Sequence, residues 1–214
     1  MSEKPDVGIA VAYRFLHPMH TVLVTCMGED GKPNIITLAW VMPTSNDPPL
    51  VAISVSPKRY SHHLITDSGE FVINIPTVEL LEQTIACGTI SGRNRDKFKE
   101  TCLTPVQAKK VKTPVIKECV AHLECRLQEL FVTGDHTIFV GKIVAAYANK
   151  GIFAEKYDLE KTPLLYHAGG NTFAVLKPKP YKTKHASVVT AGKETNNLNT
   201  ICNRKMKRQD LQRR

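Results

Sequence analysis

A β-hairpin signal occupies residues 21–42, whose sequence is TVLVTCMGEDGKPNIITLAWVM. The first part, Thr21 to Cys26, is rich in β-branched residues, which favour strands. The polar turn Gly28-Glu-Asp-Gly-Lys32 follows, and a second, mostly apolar run extends from Asn34 to Met42. Two such runs joined by a glycine-containing turn predict a pair of antiparallel strands.

The sequence that follows this hairpin also alternates between predicted strands and predicted loops or short helices. Three prolines punctuate residues 43–49 and predict a loop, whereas the almost continuously apolar run from Leu50 to Ser56 indicates a strand buried on both faces. Further strands are predicted over 70–75, 119–131, 137–147, 164–166 and 173–176, and short helices over 62–67, 78–85 and 94–100. Six or seven antiparallel strands with short helices predict a mainly β chain that forms a closed or half-closed barrel.

The charge of the chain is unevenly distributed. The formal net charge is +9, and residues 177–214 account for all of it, because they hold eleven Lys and Arg against two Asp and Glu. The balanced remainder gives no reason to expect nucleic-acid binding. We therefore predict a globular domain over residues 1–180 and a basic tail over residues 181–214 that is loosely structured or disordered.

Membrane, secretory and metal-binding classes are not expected. The chain has no apolar stretch of about 20 residues and no signal-peptide pattern at its N-terminus, so we expect a cytoplasmic protein. The six cysteines form no CxxC pair, and His62 and His63 lack a carboxylate partner pattern, which predicts no metal site. The thiols are expected to be reduced, and Cys87 is the one to test for redox reactivity.

Candidate ligand-binding residues lie at two places where apolar runs end. At Ser54-Val-Ser-Pro-Lys-Arg-Tyr-Ser61, a strand end, two cations and the start of a helix come together, which favours an anion site suited to a terminal phosphate. The alternative is a charged surface turn in which Ser61 caps the helix. Trp40, the only tryptophan, either packs in the core or lies beside a flat aromatic ligand.

Two weaker candidates complete the set. Lys97 lies in the cation-rich segment of residues 91–98, and His136 lies in a predicted hairpin turn. Each side chain could equally be a solvated surface group. Taken together, the cations and hydrogen-bond donors suit an anionic, aromatic, phosphorylated ligand.

The sequence resembles the flavin reductase-like, FMN-binding split-barrel family, and its flavoredoxin branch in particular. The residues that carry the resemblance are 17–77, which begin HPMHTV and end NIPT, then SGRNRDKF at 91–98 and LLYHAGGNTFAVL at 164–176. It covers about residues 10–180. It implies a Greek-key split β-barrel with short flanking helices, a homodimer, and one non-covalent FMN per subunit near the subunit interface.

The resemblance also implies the roles of particular residues. The segment that would run along the flavin ring supplies Asn34, Thr37, Leu38, Ala39 and Trp40. The segment that would hold the ribityl chain and phosphate supplies Ser54, Ser56, Arg59, Tyr60 and Ser61. Lys97 and His136 would approach the ring as the catalytic candidates, together with one aromatic residue, either Tyr166 or Phe173.

The function implied by the resemblance is that of an oxidoreductase that transfers electrons through bound FMN. The electron donor is either NADH or NADPH, as in flavin reductases, or a redox partner protein, as in electron-transfer flavoproteins. The alternative from another class is a non-catalytic binding protein whose basic tail engages nucleic acid or an acidic partner.

Overall fold

The computed structural model of the protein describes residues 4–177. A 3₁₀ helix, Ile9–Leu16, precedes the first strand. The strands are β1 (Met19–His20), β2 (Val22–Met27), β3 (Pro33–Leu38), β4 (Val41–Ser45), β5 (Leu50–Val55), β6 (Glu70–Ile75), β7 (Pro105–Val106), β8 (Val115–Ile116), β9 (Ala121–Thr133), β10 (His136–Ala148), β11 (Tyr166–Gly169) and β12 (Thr172–Ala174). The helices are α1 (Tyr60–Ser68), α2 (Leu81–Thr89) and α3 (Lys97–Thr101), and a 3₁₀ turn over Val78–Leu80 leads into α2.

Seven antiparallel strands form the main sheet, in the order β3-β2-β6-β9-β10-β5-β4. The two outermost strands, β3 and β4, are consecutive in the chain and form one strand that bends at Ala39 and Trp40. The first half of this strand pairs with β2 and the second half with β5, so the bent strand joins the two edges of the sheet. The sheet thereby curls into the expected barrel. The described chain is mainly β, and short helices flank the barrel.

The bend changes two predictions. A single strand was expected from Asn34 to Met42, but it is interrupted where its backbone leaves β2 and turns to β5. The predicted loop over residues 43–49 was wrong in its first part, because β4 continues to Ser45 and Pro43 pairs with Val51. Proline is tolerated here because β4 lies at an edge of the sheet, where one side of the strand needs no partner.

Both faces of β2 are buried, and successive side chains of a strand point to opposite faces. Val22 and Val24 point into the barrel interior, where they meet Phe71 and Phe139. The intervening Leu23 points outward into a second cluster, which also contains Ile35, Leu80, Cys87, Phe98, Leu103, Ile116 and Cys119. This second cluster packs α2 and α3 against the outside of β2 and β3.

The helices differ from their predicted bounds at their first turns. The predicted cap Thr77 does not cap a backbone N–H; its hydroxyl contacts the carboxylate of Glu79. The charged helix expected over residues 94–100 is restricted to α3, which begins after Asp96 because that side chain accepts a bond from the backbone N–H of Lys99 at 3.2 Å. Ser61 is not the cap of α1, since that position belongs to Arg59 and carries no side-chain bond.

A second, three-stranded sheet in the order β1-β11-β12 was not predicted. In it, Met19 pairs with His167 and His20 with Tyr166, so the end of the N-terminal 3₁₀ helix is tied to the β11–β12 hairpin. Glycines at 169 and 170, with φ of +116° and +55°, allow the tight turn of this hairpin.

Buried Glu124 ties a surface loop to the outside of the barrel. Its carboxylate accepts hydrogen bonds from the backbone N–H groups of Lys109 and Lys110, at 2.7 and 2.6 Å, and from the Tyr147 hydroxyl at 2.9 Å. Burial opposes ionisation of this carboxyl, but the hydrogen bonds outweigh it and lower the pKa of Glu124.

The predicted basic tail, and the function attached to it, lie outside the described residues. Among the helices of residues 4–177, none has the length and apolar character needed to cross a bilayer.

Candidate functional site

Residues from both sheets line one cleft of about 750 Å³, a size typical of small-molecule sites. One wall comes from the main sheet: the bend at Ala39 and Trp40, the end of β5 and the start of β10. The last turns of α2 close this wall. The opposite wall comes from the N-terminal 3₁₀ helix and the β11–β12 hairpin.

The bend of the β3–β4 strand presents both backbone and an aromatic ring to the cleft. The Trp40 carbonyl accepts a bond from the backbone N–H of Ser54 at 3.0 Å, which fixes the bend against β5. Trp40 is 38% exposed, and its ring lies 4.8 Å from the His136 ring, between centroids. Trp40 is therefore not a core residue, and its ring is free to contact a ligand in the cleft.

The outer face of β3 is fixed to α2 directly below the cleft. The Thr37 hydroxyl donates to the Thr84 carbonyl at 2.6 Å, and Gly88 lies so close that a Cβ there would stand 3.3 Å from the Thr37 Cβ. A glycine at this position lets the helix approach the strand closely. The hydroxyls of Thr84 and Thr21 are buried in the cleft lining and have no hydrogen-bond partner within residues 4–177. Such hydroxyls are available to a ligand.

The turn between β5 and α1 makes one end of the cleft positive. Ser54, Ser56, Lys58 and Arg59 all line it. No side chain caps α1, and the partial positive charge at its N-terminal end adds to the attraction for an anion. Within the described lining, Asp135 is the one carboxylate, and it pairs with His136 at 2.7 Å.

Nine of the predicted site residues line this cleft. They are Thr37, Leu38, Ala39, Trp40, Ser54, Ser56, Arg59, His136 and Phe173. Of the two aromatic alternatives, Phe173 is in the lining, whereas the Tyr166 ring lies 5.4 Å from His20 and packs against the barrel core.

Asn34, Ser61 and Tyr60 stand behind the lining. The Asn34 amide donates to the Ser61 hydroxyl at 2.8 Å, and both side chains are buried. Gly92 is packed so tightly on the Asn34 amide that any Cβ there would collide with it. The Tyr60 ring lies 5.8 Å from the Arg93 guanidinium. These contacts connect the start of α1 to β3 and to the segment of residues 91–98.

Lys97 is buried, with 5% of its surface exposed, and is not a solvated group of a charged helix. Its ammonium donates to the carbonyl of Ile35 in β3 and to that of Cys87 in α2, both at 2.7 Å. Burial lowers the pKa of Lys97. No carboxylate within residues 4–177 forms an ion pair with Lys97 that would offset this effect. Its side chain lies beneath the cleft and is not part of the lining.

Cys87, singled out above for redox tests, is fully buried in the cluster between α2 and the main sheet. Burial raises the pKa of its thiol to about 11. A thiol so rarely ionised is a poor nucleophile, so Cys87 is a packing residue.

The wall opposite the main sheet was missed by sequence reasoning, apart from Phe173. It is lined by Tyr13, Arg14, His17, His167, Gly169, Gly170 and Asn171. The signal was weak, because the 3₁₀ helix that carries Tyr13 and Arg14 has no motif, and the pairing of β1 with β11 joins residues far apart in the sequence.

Comparison with known proteins gives the family. A family model described as "Flavin reductase like domain" matches residues 13–173. A protein of Archaeoglobus fulgidus, described as uncharacterized, is 40% identical over 159 residues, covering 74% of this chain and 89% of that protein. The flavin reductase (NADH) of Kitasatospora aureofaciens is 31% identical over 129 residues, covering 60% of this chain and 65% of that enzyme.

Among solved structures, flavoredoxin from Methanosarcina acetivorans superimposes with a TM-score of 0.76 at 28% identity, covering 87% of this chain and 97% of that one. The family match, from Tyr13 to Phe173, spans the elements that line the cleft. The chain belongs to the flavin reductase-like domain family.

Proposed function

We propose that this chain, as a flavin-binding oxidoreductase, holds FMN non-covalently in the cleft and transfers electrons through it. One observation carries the proposal: the cationic, uncapped start of α1 and the aromatic bend at Trp40 face the same cleft. An anion site and a flat apolar surface within one cleft are what a phosphorylated, planar cofactor requires.

The cleft also fits the polar parts of such a cofactor. The unpartnered hydroxyls of Thr21 and Thr84 offer donors and acceptors inside the cleft. Lys58 and Arg59 can make charge-assisted hydrogen bonds to a phosphate, while Ser54 and Ser56 provide hydroxyls for the sugar-like chain. Asp135, the one acid of the described lining, is occupied by its 2.7 Å hydrogen bond with the His136 ring.

The roles of the protein in the redox step are binding, orientation and electrostatic tuning. When bound, FMN supplies the ring that accepts and releases electrons. Trp40 and His136 would confine that ring from the main-sheet side, and Phe173 from the opposite wall. Lys97 fixes β3 to α2 beneath the cleft, and its positive charge favours the negative charge that a flavin gains on reduction.

The electron donor is proposed to be NADH or NADPH, with a redox partner protein as the other candidate. The similarity to a flavin reductase (NADH) supports the first, and the similarity to a flavoredoxin supports the second. Anaerobic mixing of the FMN-loaded protein with NADH, NADPH and reduced ferredoxin in turn distinguishes them, because only a competent donor bleaches the flavin within seconds.

We further propose a homodimer. Large apolar side chains are exposed on the N-terminal 3₁₀ helix, at Ile9, Phe15 and Leu16, and near the end of β9, at Phe131 and Val132. Exposed apolar side chains that are grouped on one element in this way are typical of protein interfaces. Analytical ultracentrifugation should give twice the chain mass, and a monomer at micromolar concentration would contradict the proposal.

The absorption spectrum of the purified protein tests the cofactor. We expect the bands of oxidised flavin in the protein as isolated or after incubation with FMN and removal of the excess. Acid release followed by chromatography should identify FMN. A protein that stays colourless after incubation with FMN would contradict the proposal.

A further inference from the structure

The cationic turn of the cleft, residues 56–59, joins the end of β5 to the start of α1. Two successive hydrogen bonds fold its backbone: the N–H of Arg59 donates to the carbonyl of Ser56 at 2.9 Å, and the N–H of His62 donates to the carbonyl of Arg59 at 3.0 Å. A surface connection is more mobile than the elements that it joins. The position of the cations therefore depends on how the two ends of the turn are held.

Thr137, the second residue of β10, holds both ends of this turn. On one side, its backbone pairs with that of Val55, the last residue of β5. On the other side, its hydroxyl lies 2.9 Å from Nε2 of His62, in the first turn of α1. Thr137 is buried, so water competes little for this hydrogen bond. One residue of β10 thus closes the turn that carries Lys58 and Arg59.

The His62 ring is fixed in the orientation that this contact needs. It packs edge-to-face against the core residue Phe139, with 5.0 Å between centroids. Its other nitrogen, Nδ1, is buried and has no hydrogen-bond partner within residues 4–177. Burial, with a smaller contribution from His63, lowers the pKa of His62, so the ring is neutral at pH 7. The polar contact of this ring is therefore the one with Thr137.

The same contact adjoins the aromatic end of the cleft. His136, the residue before Thr137, lines the cleft, and its ring lies 4.8 Å from that of Trp40. Thr137 and His62 are not themselves part of the lining. Thr137 therefore lies between the cationic turn and the Trp40–His136 pair, and a shift of α1 away from β10 would change the distance between them.

We propose that the contact between His62 and Thr137 is a clasp that sets the separation of the cationic turn and the Trp40–His136 pair, so that both are positioning residues of the flavin site. The inference rests on the proposed function, because FMN is the ligand that would span both ends. A ligand that occupies both ends gains affinity when they are held at the right separation in advance. A ligand that occupies one end gains nothing from the clasp.

FMN and lumiflavin form a matched pair of ligands, because lumiflavin has the same ring but lacks the ribityl chain and the phosphate. The Kd of each is measured by titration of the protein. His62→Phe keeps a ring against Phe139 and removes the polar contact. We expect it to raise the Kd for FMN about 5- to 10-fold, in the range of one buried hydrogen bond, and to leave the Kd for lumiflavin within about 2-fold. Thr137→Val, which keeps the shape of the side chain, should have the same effects.

Further variants separate positioning from a general loss of structure. His62→Gln keeps a polar group that can reach Thr137 and should retain most of the FMN affinity. His63→Phe makes the aromatic replacement at the next, exposed position of α1 and should change neither Kd. A double variant that combines His62→Phe with Thr137→Val should bind FMN no more weakly than either single variant, because both remove the same contact.

Three results would overturn the proposal: equal losses for FMN and lumiflavin, additive losses in the double variant, or an unchanged Kd for FMN in His62→Phe. Failure of the proposed function is seen separately, as an unmodified protein that binds neither flavin. In that sample the fluorescence of Trp40, the only tryptophan, still tests the clasp, because His136 is its neighbour. His62→Phe should then shift the Trp40 emission and His63→Phe should not, and an emission unchanged in both would overturn the clasp as well.

Discussion

The ammonium of Lys97 lies 2.7 Å from the carbonyl oxygen of Cys87, in the last turn of α2. The carbonyls at a helix C-terminus are unpaired and carry partial negative charge, so a cation there is stabilising. Through its second bond, to Ile35, Lys97 also holds β3 against the helix. The two elements it joins both line the cleft, so Lys97 supports the site from below.

Replacing Lys97 tests this support. Lys97→Met keeps an apolar chain of similar length but leaves two carbonyls without their donor, and we expect a loss of about 1–3 kcal/mol in the free energy of unfolding. Lys99→Met is the matched control on the same helix, because the Lys99 side chain is exposed and its ion pair with Asp96 is solvated. Urea unfolding of both variants measures the difference, and equal small losses would contradict a structural role for Lys97.

Arg59 is expected to distinguish FMN from riboflavin, which lacks the phosphate. Arg59→Gln should raise the Kd for FMN about 10- to 100-fold, because a charge-assisted hydrogen bond is lost, and change the Kd for riboflavin little. Lys142→Gln is the control for the loss of one charge, because Lys142 is exposed on β10 and is not part of the cleft lining. Ser61 is unsuitable for this test, since it is buried and bonded to Asn34. Equal losses for both ligands would place the phosphate elsewhere.

His122 predicts a pH dependence of stability. Its Nδ1 lies 2.9 Å from Asn74 Oδ1, and burial lowers the pKa of His122 to about 4. The unfolded chain, with a pKa near 6.5, therefore takes up a proton at a higher pH than the folded chain. The stabilisation contributed by neutral His122 is fully present above pH 6.5 and is lost as the pH falls toward 4. This loss lowers the free energy of unfolding by about 2–3 kcal/mol between pH 7.5 and 4.5.

His122→Gln keeps a donor for Asn74 but does not titrate. Urea unfolding at pH 7.5 and 4.5 should show a smaller acid loss in this variant than in the unmodified protein. Glu124 and the other carboxyls contribute equally to both proteins, so the difference isolates His122. Identical acid losses in the two proteins would contradict this prediction, because they would show that His122 takes up its proton as readily in the folded chain as in the unfolded chain.

The barrel could be predicted from the sequence because its strands carry strong local signals. Strands such as β5 and β6 have β-branched, apolar sequences bounded by proline and glycine, and the structure confirms both within one residue. The bend at Ala39 and Trp40 could not be predicted in the same way. It arises because the two halves of one strand pair with different partners, β2 and β5, which only the closed sheet determines.

Apart from Phe173, the candidate site was predictable on one wall only. The residues of the bend and of the cationic turn are contiguous in sequence, so their composition is visible before any fold is known. The burial of Lys97 depends on where the carbonyls of Ile35 and Cys87 converge, and the segment around it looks like a solvated helix. Arg14 and His167 meet in one wall through the pairing of two short strands, for which the sequence has no local signal.

The most direct test of the central claim uses Trp40. It is the only tryptophan, and it lies in the cleft between Tyr13 and His136. Titration of the flavin-free protein with FMN should quench the Trp40 fluorescence in a saturable, stoichiometric manner, with the same Kd as the change in flavin absorbance. FMN binding that leaves the Trp40 fluorescence unchanged would place the flavin outside this cleft, and no binding at all would contradict the account as a whole.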